Sequence, residues 1–94
     1  MRKYEAVYIF LPTAEEEKRV KLLERFKGII EANGSITSVD EWGNRKLAYL
    51  IDDIGEGYYV LINFEAQPEV IEELNRVAKI SDIIMRHMII KEDE

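Results

Sequence analysis

The sequence has no cysteine and only one histidine, His87. The first absence removes disulfides, thiolate nucleophiles and zinc sites of the cysteine type, and leaves no mark of an oxidising compartment. The second removes most histidine-based metal sites. No apolar stretch approaches bilayer length. The opening "MRKYEAVYIF" has two basic residues before a short alternating apolar run, with no small-residue cleavage site, so a cytoplasmic protein is expected. Positive charge is also in deficit: 13 Lys and Arg stand against 19 Asp and Glu, a balance that excludes indiscriminate coating of nucleic acid.

What is present is enough for one small domain. A chain of 94 residues buries roughly 60 to 65% of the surface its unfolded form exposes, which allows one modest core and no second domain. Hydrophobic residues at 47% against charged ones at 34% are the balance of a folded chain rather than a disordered tail. Residues 1–91 are expected to fold as a single domain, with 92–94 as a short acidic tail. The charges are unevenly placed. Acids gather at 14–17, at Glu69, Glu72 and Glu73, and in "KEDE"; cations outside the helical stretches gather at Arg2, Lys3, Arg45, Lys46, Arg86 and Lys91.

Along the chain, residues 3–11 are rich in β-branched and aromatic side chains and read as a central strand. Tyr4, Ala6, Tyr8 and Phe10 share one face, and Val7, Ile9 and Leu11 the other. Pro12 ends it. Thr13 with Glu16 has the spacing of a capping box for a helix, whose apolar face is Val20, Leu23, Phe26, Ile29 and Ile30. Gly34 is expected to supply a left-handed stop. Residues 35–51 read as a long second strand, interrupted near Trp42-Gly43-Asn44 where glycine permits a bulge. "DDIGEG" (52–57) is turn material, 58–66 a third strand, and Pro68 the first turn of a second helix with Val70, Ile71, Leu74, Val77 and Ala78 facing the core. Residues 83–91 form the fourth strand. The order is βαββαβ. With right-handed crossovers it gives an α+β, ferredoxin-like sandwich: a four-stranded antiparallel sheet, order 4-1-3-2, with both helices on one face and the other face open.

Signs of catalysis are few. His87 lies among apolar neighbours with no visible serine or cysteine partner, and reads as a structural or rim histidine. Asp40-Glu41 and Asp52-Asp53 read as solvated charge, and "GEG" at 55–57 lacks the Lys-Ser/Thr and the helix of a phosphate loop. No enzyme, cofactor or metal is expected. RNA-recognition domains share the βαββαβ order and stack bases on aromatics of the third strand. "GYYVLINF" (57–64) begins like that signature, but Glu56 replaces the required cation, Tyr59 a small residue and Val60 the second stacking aromatic. Tyr58, Tyr59 and Phe64 are therefore read as packing residues. The strand cations keep two readings, protection of a sheet edge and contact with phosphate.

"MRKYE", "GxxxxxxxWGNRKLAY", "GYYVLINFE" and "DIIMRHMIIK", taken with their spacing, resemble the bacterial small-subunit ribosomal protein six family from Met1 to about Lys91. The resemblance implies the same sandwich and a non-enzymatic component of the small ribosomal subunit. Such a component binds the central domain of the small-subunit ribosomal RNA together with small-subunit ribosomal protein eighteen and supports subunit assembly. Carried over by position, it implies RNA contact at Arg2, Tyr4, Arg45, Lys46, Arg86, Met88 and Lys91. Lys3 joins them from its place beside Arg2. Apolar Val7, Ile9 and Leu11, flanked by cations, are the expected surface for the protein partner. The alternative function on this fold is a small-ligand or regulatory module using the sheet face as a pocket; no ligand motif favours it.

Overall fold

A computed structural model describes residues 1–51 and 53–92. Six elements follow one another: β1 (Arg2–Phe10), α1 (Glu16–Ala32), β2 (Gly34–Ile51), β3 (Ile54–Ala66), α2 (Pro68–Ile80) and β4 (Ile84–Lys91). The strands form one antiparallel sheet in the order β2-β3-β1-β4, which is the expected 4-1-3-2 arrangement. β1 pairs with β3 from Arg2↔Ala66 to Phe10↔Tyr58, and with β4 from Tyr4↔Lys91 to Phe10↔Ile84.

The helices cover one face. Tyr4, Ala6, Tyr8 and Phe10 of β1 and Val60, Ile62, Phe64 and Ala66 of β3 form a core with Leu23, Phe26 and Ile30 of α1 and Val70, Leu74, Val77 and Ala78 of α2. Tyr8 stacks on Phe26 with ring centroids 4.2 Å apart, and Tyr4 on Phe64 at 5.5 Å. The Tyr8 hydroxyl is buried with no hydrogen-bond partner among the described residues, and burial pushes its phenol well above the usual tyrosine range.

Several local expectations are corrected. Thr13 does not cap α1: residues 12–14 form a turn, the helix starts at Glu16, and its N-cap is Glu15 without a side-chain cap bond. The acids Glu16 and Glu17 in the first turn supply the favourable dipole interaction instead. Val20, one turn into α1, is 46% exposed and lies outside the core. Gly34 is not a left-handed stop, since Gly43 is the only glycine with positive φ among the described residues. Gly34 opens β2, where a Cβ would lie 2.1 Å from the Glu65 carbonyl oxygen, so it serves close strand approach rather than chain reversal. Finally, β3 begins at Ile54 rather than Tyr58, because Ile54–Gly57 pair with the end of β2 instead of forming a broad turn. Asp52 and the tail residues Asp93 and Glu94 lie outside the described residues.

Candidate nucleic-acid interface

Strand alternation sends every second residue to the uncovered face of the sheet. From β1 these are Val7 and Ile9, from β3 Tyr59, Leu61 and Asn63, and from β4 Arg86, Met88 and Ile90. Val7 and Leu61 are half-buried, Met88 and Ile90 exposed. Polar closure appears toward β2, where Asn63 donates to the Ser38 hydroxyl at 3.1 Å.

The expected partner residues separate here. Val7 stays on the accessible face. Ile9 is 6% exposed, because the end of β2 bends over it: the β2–β3 register slips between Lys46↔Glu56 and Ile51↔Ile54, and Leu47, Ala48 and Tyr49 of this arm enclose a hollow of about 100 Å³ above Ile9. Leu11 lies past the end of β1, its amide donating to the Ile83 carbonyl at 2.8 Å. The apolar residues accompanying Val7 are Leu61, Met88 and Ile90. Parity along β3 and β4 carries that signal once the strand order is known.

The candidate RNA-contacting residues fall into two groups at opposite ends of the sheet. Arg2, Lys3, Tyr4 and Lys91 share one end, where Lys91 pairs opposite Tyr4 and the Glu92 amide donates to the Lys3 carbonyl at 2.9 Å. Arg2, Lys3 and Lys91 are exposed; Tyr4 is 7% exposed, its ring held in the core. Arg86 sits at the other end, opposite Ile9, whose partner on β3 is Tyr59, in turn opposite Gly43 of β2. Arg45, opposite Gly57, and Lys46, opposite Glu56, are the next residues toward the arm. Seven residues of β1 separate Arg2 from the position facing Arg86, roughly 23 Å along the strand. Odd spacing also turns the two to opposite faces. The sheet thus groups Arg86 with Arg45 and Lys46, whereas Arg2 belongs with Lys3 and Lys91.

Arg86 is not idle. One of its terminal nitrogens donates to the Tyr49 hydroxyl, and its guanidinium lies 5.4 Å from the Tyr49 ring centroid, which ties the arm across the open face. A guanidinium has five N–H donors, so this bond leaves most of the fork available. Arg45 and Lys46 are exposed, and among the described residues neither has a carboxylate within ion-pair distance.

The aromatics of the third strand divide by face. Tyr58 lies on the helix side, its hydroxyl donating to Glu41 at 3.1 Å and its ring under the Arg19 guanidinium at 3.8 Å. Phe64 is in the core. Tyr59 alone faces the open side, and Trp42 of β2 stacks on it with centroids 6.1 Å apart and planes 13° apart. Among the titratable groups, His87 is half-buried on the helix side, 6.5 Å from the Tyr8 ring. Burial first, and Lys79 second, hold its imidazole below the usual histidine range.

The family described as ribosomal protein S6 matches residues 3–91. Small ribosomal subunit protein bS6 of Alkaliphilus oremlandii is 59% identical over 91 residues, covering 97% of each chain. The bS6 protein of Thermoanaerobacter pseudethanolicus is 57% identical over 95 residues and all of both chains. The crystal structure of 30S ribosomal protein S6 from Thermotoga maritima superposes with a TM-score of 0.89 at 35% identity, covering 97% of this chain and 87% of that one. With fold, length and sequence in agreement over nearly every residue, the chain belongs to the ribosomal protein S6 family, non-enzymatic proteins of the small ribosomal subunit.

Proposed function

We propose that the chain binds the central domain of the small-subunit ribosomal RNA together with small-subunit ribosomal protein eighteen and supports assembly of the subunit. The observation that carries this reading is the uncovered sheet face. Val7, Leu61, Met88 and Ile90 form an apolar strip that no element covers among the described residues, with Arg86, Arg45 and Lys46 toward one end of the sheet and Lys3 at the other, where Arg2 and Lys91 stand beside it with the opposite strand parity. The strip suits a protein partner, whereas the cations at its ends suit phosphate, for which Arg offers a fork and Lys a point charge.

An acidic chain can do this because structured RNA is read through phosphate, 2′-hydroxyl and shape. A few placed cations position the protein, and a basic partner supplies the remaining neutralisation.

The test is assembly of the ternary complex from the chain, protein eighteen and an RNA fragment. Arg86→Ala weakens it by about 1–3 kcal/mol, the range for charge-assisted hydrogen bonds. Because Arg2 and Arg86 stand far apart, the penalties of Arg2→Ala and Arg86→Ala add in the double variant. Unchanged assembly of the double variant defeats the assignment of these cations.

A further inference from the structure

The register of β2 contains one residue too many at a particular place. Glu41 faces Val60 and Gly43 faces Tyr59, so Trp42 is the inserted residue of a bulge, and Gly43 beside it adopts a left-handed φ of 78°, which glycine takes without strain. Two residues of β2 therefore oppose Tyr59. The one without a side chain leaves the Tyr59 face clear for the other, and the Trp42 indole lies nearly parallel to the phenol ring.

The next position on the same side is Arg45, and the residue opposite it is again a glycine, Gly57. A Cβ there would lie 2.4 Å from a methyl of Ile9, so the close approach of Ile9 keeps that position empty of a side chain, and Arg45 has no bulky neighbour across the strand. Trp42, Tyr59, Arg45 and Lys46 line an open hollow of about 460 Å³. Trp42 remains 48% exposed even while stacked. No acid lines the hollow among the described residues. Glu41 accepts from Tyr58 on the helix side, and Glu56, opposite Lys46, does not line the hollow.

A flat aromatic platform with two cations at its margin is the combination that holds a single nucleotide. Stacking serves any base, and the cations serve its phosphates. Arg45 and Lys46 stand beside the rings with no carboxylate within ion-pair distance among the described residues, and charge complementarity selects a polyanion. We propose that Trp42, Tyr59, Arg45 and Lys46 form a site for an unpaired nucleotide of RNA, its base on the Trp42 face and its phosphates against Arg45 and Lys46. This deepens the RNA-binding reading above and rests on it. What it adds is the class of ligand: a base out of its helix rather than the outer surface of a duplex.

Trp42 is the only tryptophan of the chain, so its fluorescence reports on the site alone. The purified protein is titrated with a short single-stranded RNA of mixed sequence, with a duplex of the same length and with inorganic polyphosphate of equal charge. Quenching by the single strand and not by the other two is the expected result. Equal quenching by polyphosphate, or none by the single strand, overturns the proposal. Binding falls linearly with salt on a double-logarithmic plot with a slope of about −1.4, for two phosphates contacted by a single strand; a slope near zero overturns the role of the cations. Trp42→Ala, read by anisotropy of labelled RNA, weakens binding about tenfold or more, and Arg45→Ala weakens it while leaving Trp42 in place. Thermal midpoints close to wild type for both variants show that the loss is not unfolding.

Ternary assembly with protein eighteen and the RNA fragment is measured on the same samples. A wild-type chain that assembles while Trp42 ignores single strands defeats this site and leaves the functional reading standing. Quenching by single strands with no ternary assembly does the reverse. A shift of Trp42 emission on adding protein eighteen, with none from single-stranded RNA, overturns the site in favour of a protein contact.

Discussion

The two faces of the sheet are built from alternate residues of the same strands, yet they do different work. On the helix side, Ala6, Tyr8, Phe10, Val60 and Ile62 are wholly buried, and ring stacks such as Tyr8 on Phe26 leave no room for change. On the other side, Val7 and Leu61 are half-buried, Met88 and Ile90 about half-exposed, and the arm tied by Arg86 to Tyr49 covers only the Ile9 end. A covered face must match its partner at the density of a crystal, because each missing methylene leaves a cavity. An uncovered one need only remain apolar enough to be worth covering. Stability is therefore concentrated on the helix side, and in our proposed function recognition belongs to the other.

The largest effect should come from breaking the helix side. Phe26→Ala should cost about 3–5 kcal/mol of unfolding free energy in urea denaturation, while Met88→Ala on the open side stays within about 0.5 kcal/mol. Comparable losses from the two would erase the distinction between the faces.

A smaller effect of opposite sign sharpens the comparison. Tyr8→Phe removes the buried hydroxyl that has no partner among the described residues and should raise stability by about 1 kcal/mol, since an unsatisfied buried polar group is a net cost. A fall in the urea midpoint would mean that the hydroxyl is satisfied in solution.

The smallest effect is pH-dependent. His87 has its folded-state pKa lowered, chiefly by burial and secondarily by Lys79. Below the ordinary value of about 6.5 the unfolded chain therefore binds the proton more readily than the folded one. The neutral imidazole's contribution is fully present above that pH and is lost as pH falls through the lower folded value. Thermal midpoints of wild type and His87→Gln should converge as pH is lowered through that window. Parallel curves would remove His87 from the pH dependence.

Much of this architecture was legible in the residues. The alternation of Tyr4, Ala6, Tyr8 and Phe10 and the helical spacing of Val70, Leu74 and Val77 are core signatures because apolar burial enforces the period of each element. The βαββαβ order then leaves few ways to close a sheet. Boundaries were less legible. Thr13 and Glu16 have capping spacing, yet the chain turns for three residues before the helix begins, and spacing alone does not carry backbone dihedrals. Gly34 looked like a helix stop, while its actual constraint is a carbonyl 31 residues away in sequence that only strand pairing brings near.

For the site, charge was legible and grouping was not. Arg2, Lys3, Arg45, Lys46, Arg86 and Lys91 stand out on an acidic chain, but which of them act together depends on register. Ile9 and Tyr59 place Arg86 toward Arg45 rather than toward Arg2. The aromatics of the third strand do not by themselves point to Trp42, because the ring that stacks on Tyr59 comes from β2.

The sequence by itself determined the class of the molecule: one acidic, cysteine-free α+β domain with a defined core and the signatures of a ribosomal protein. Local periodicity and composition are properties of the chain, and they persist in any context. Only the tertiary structure decided that the bulge at Trp42-Gly43 turns an indole onto Tyr59 beside Arg45, that the arm shields Ile9, and that the cations divide between two ends. Those are contacts between residues distant in sequence. Their geometry exists only after the strands have paired, since a one-residue shift in register would send every one of these side chains to the opposite face.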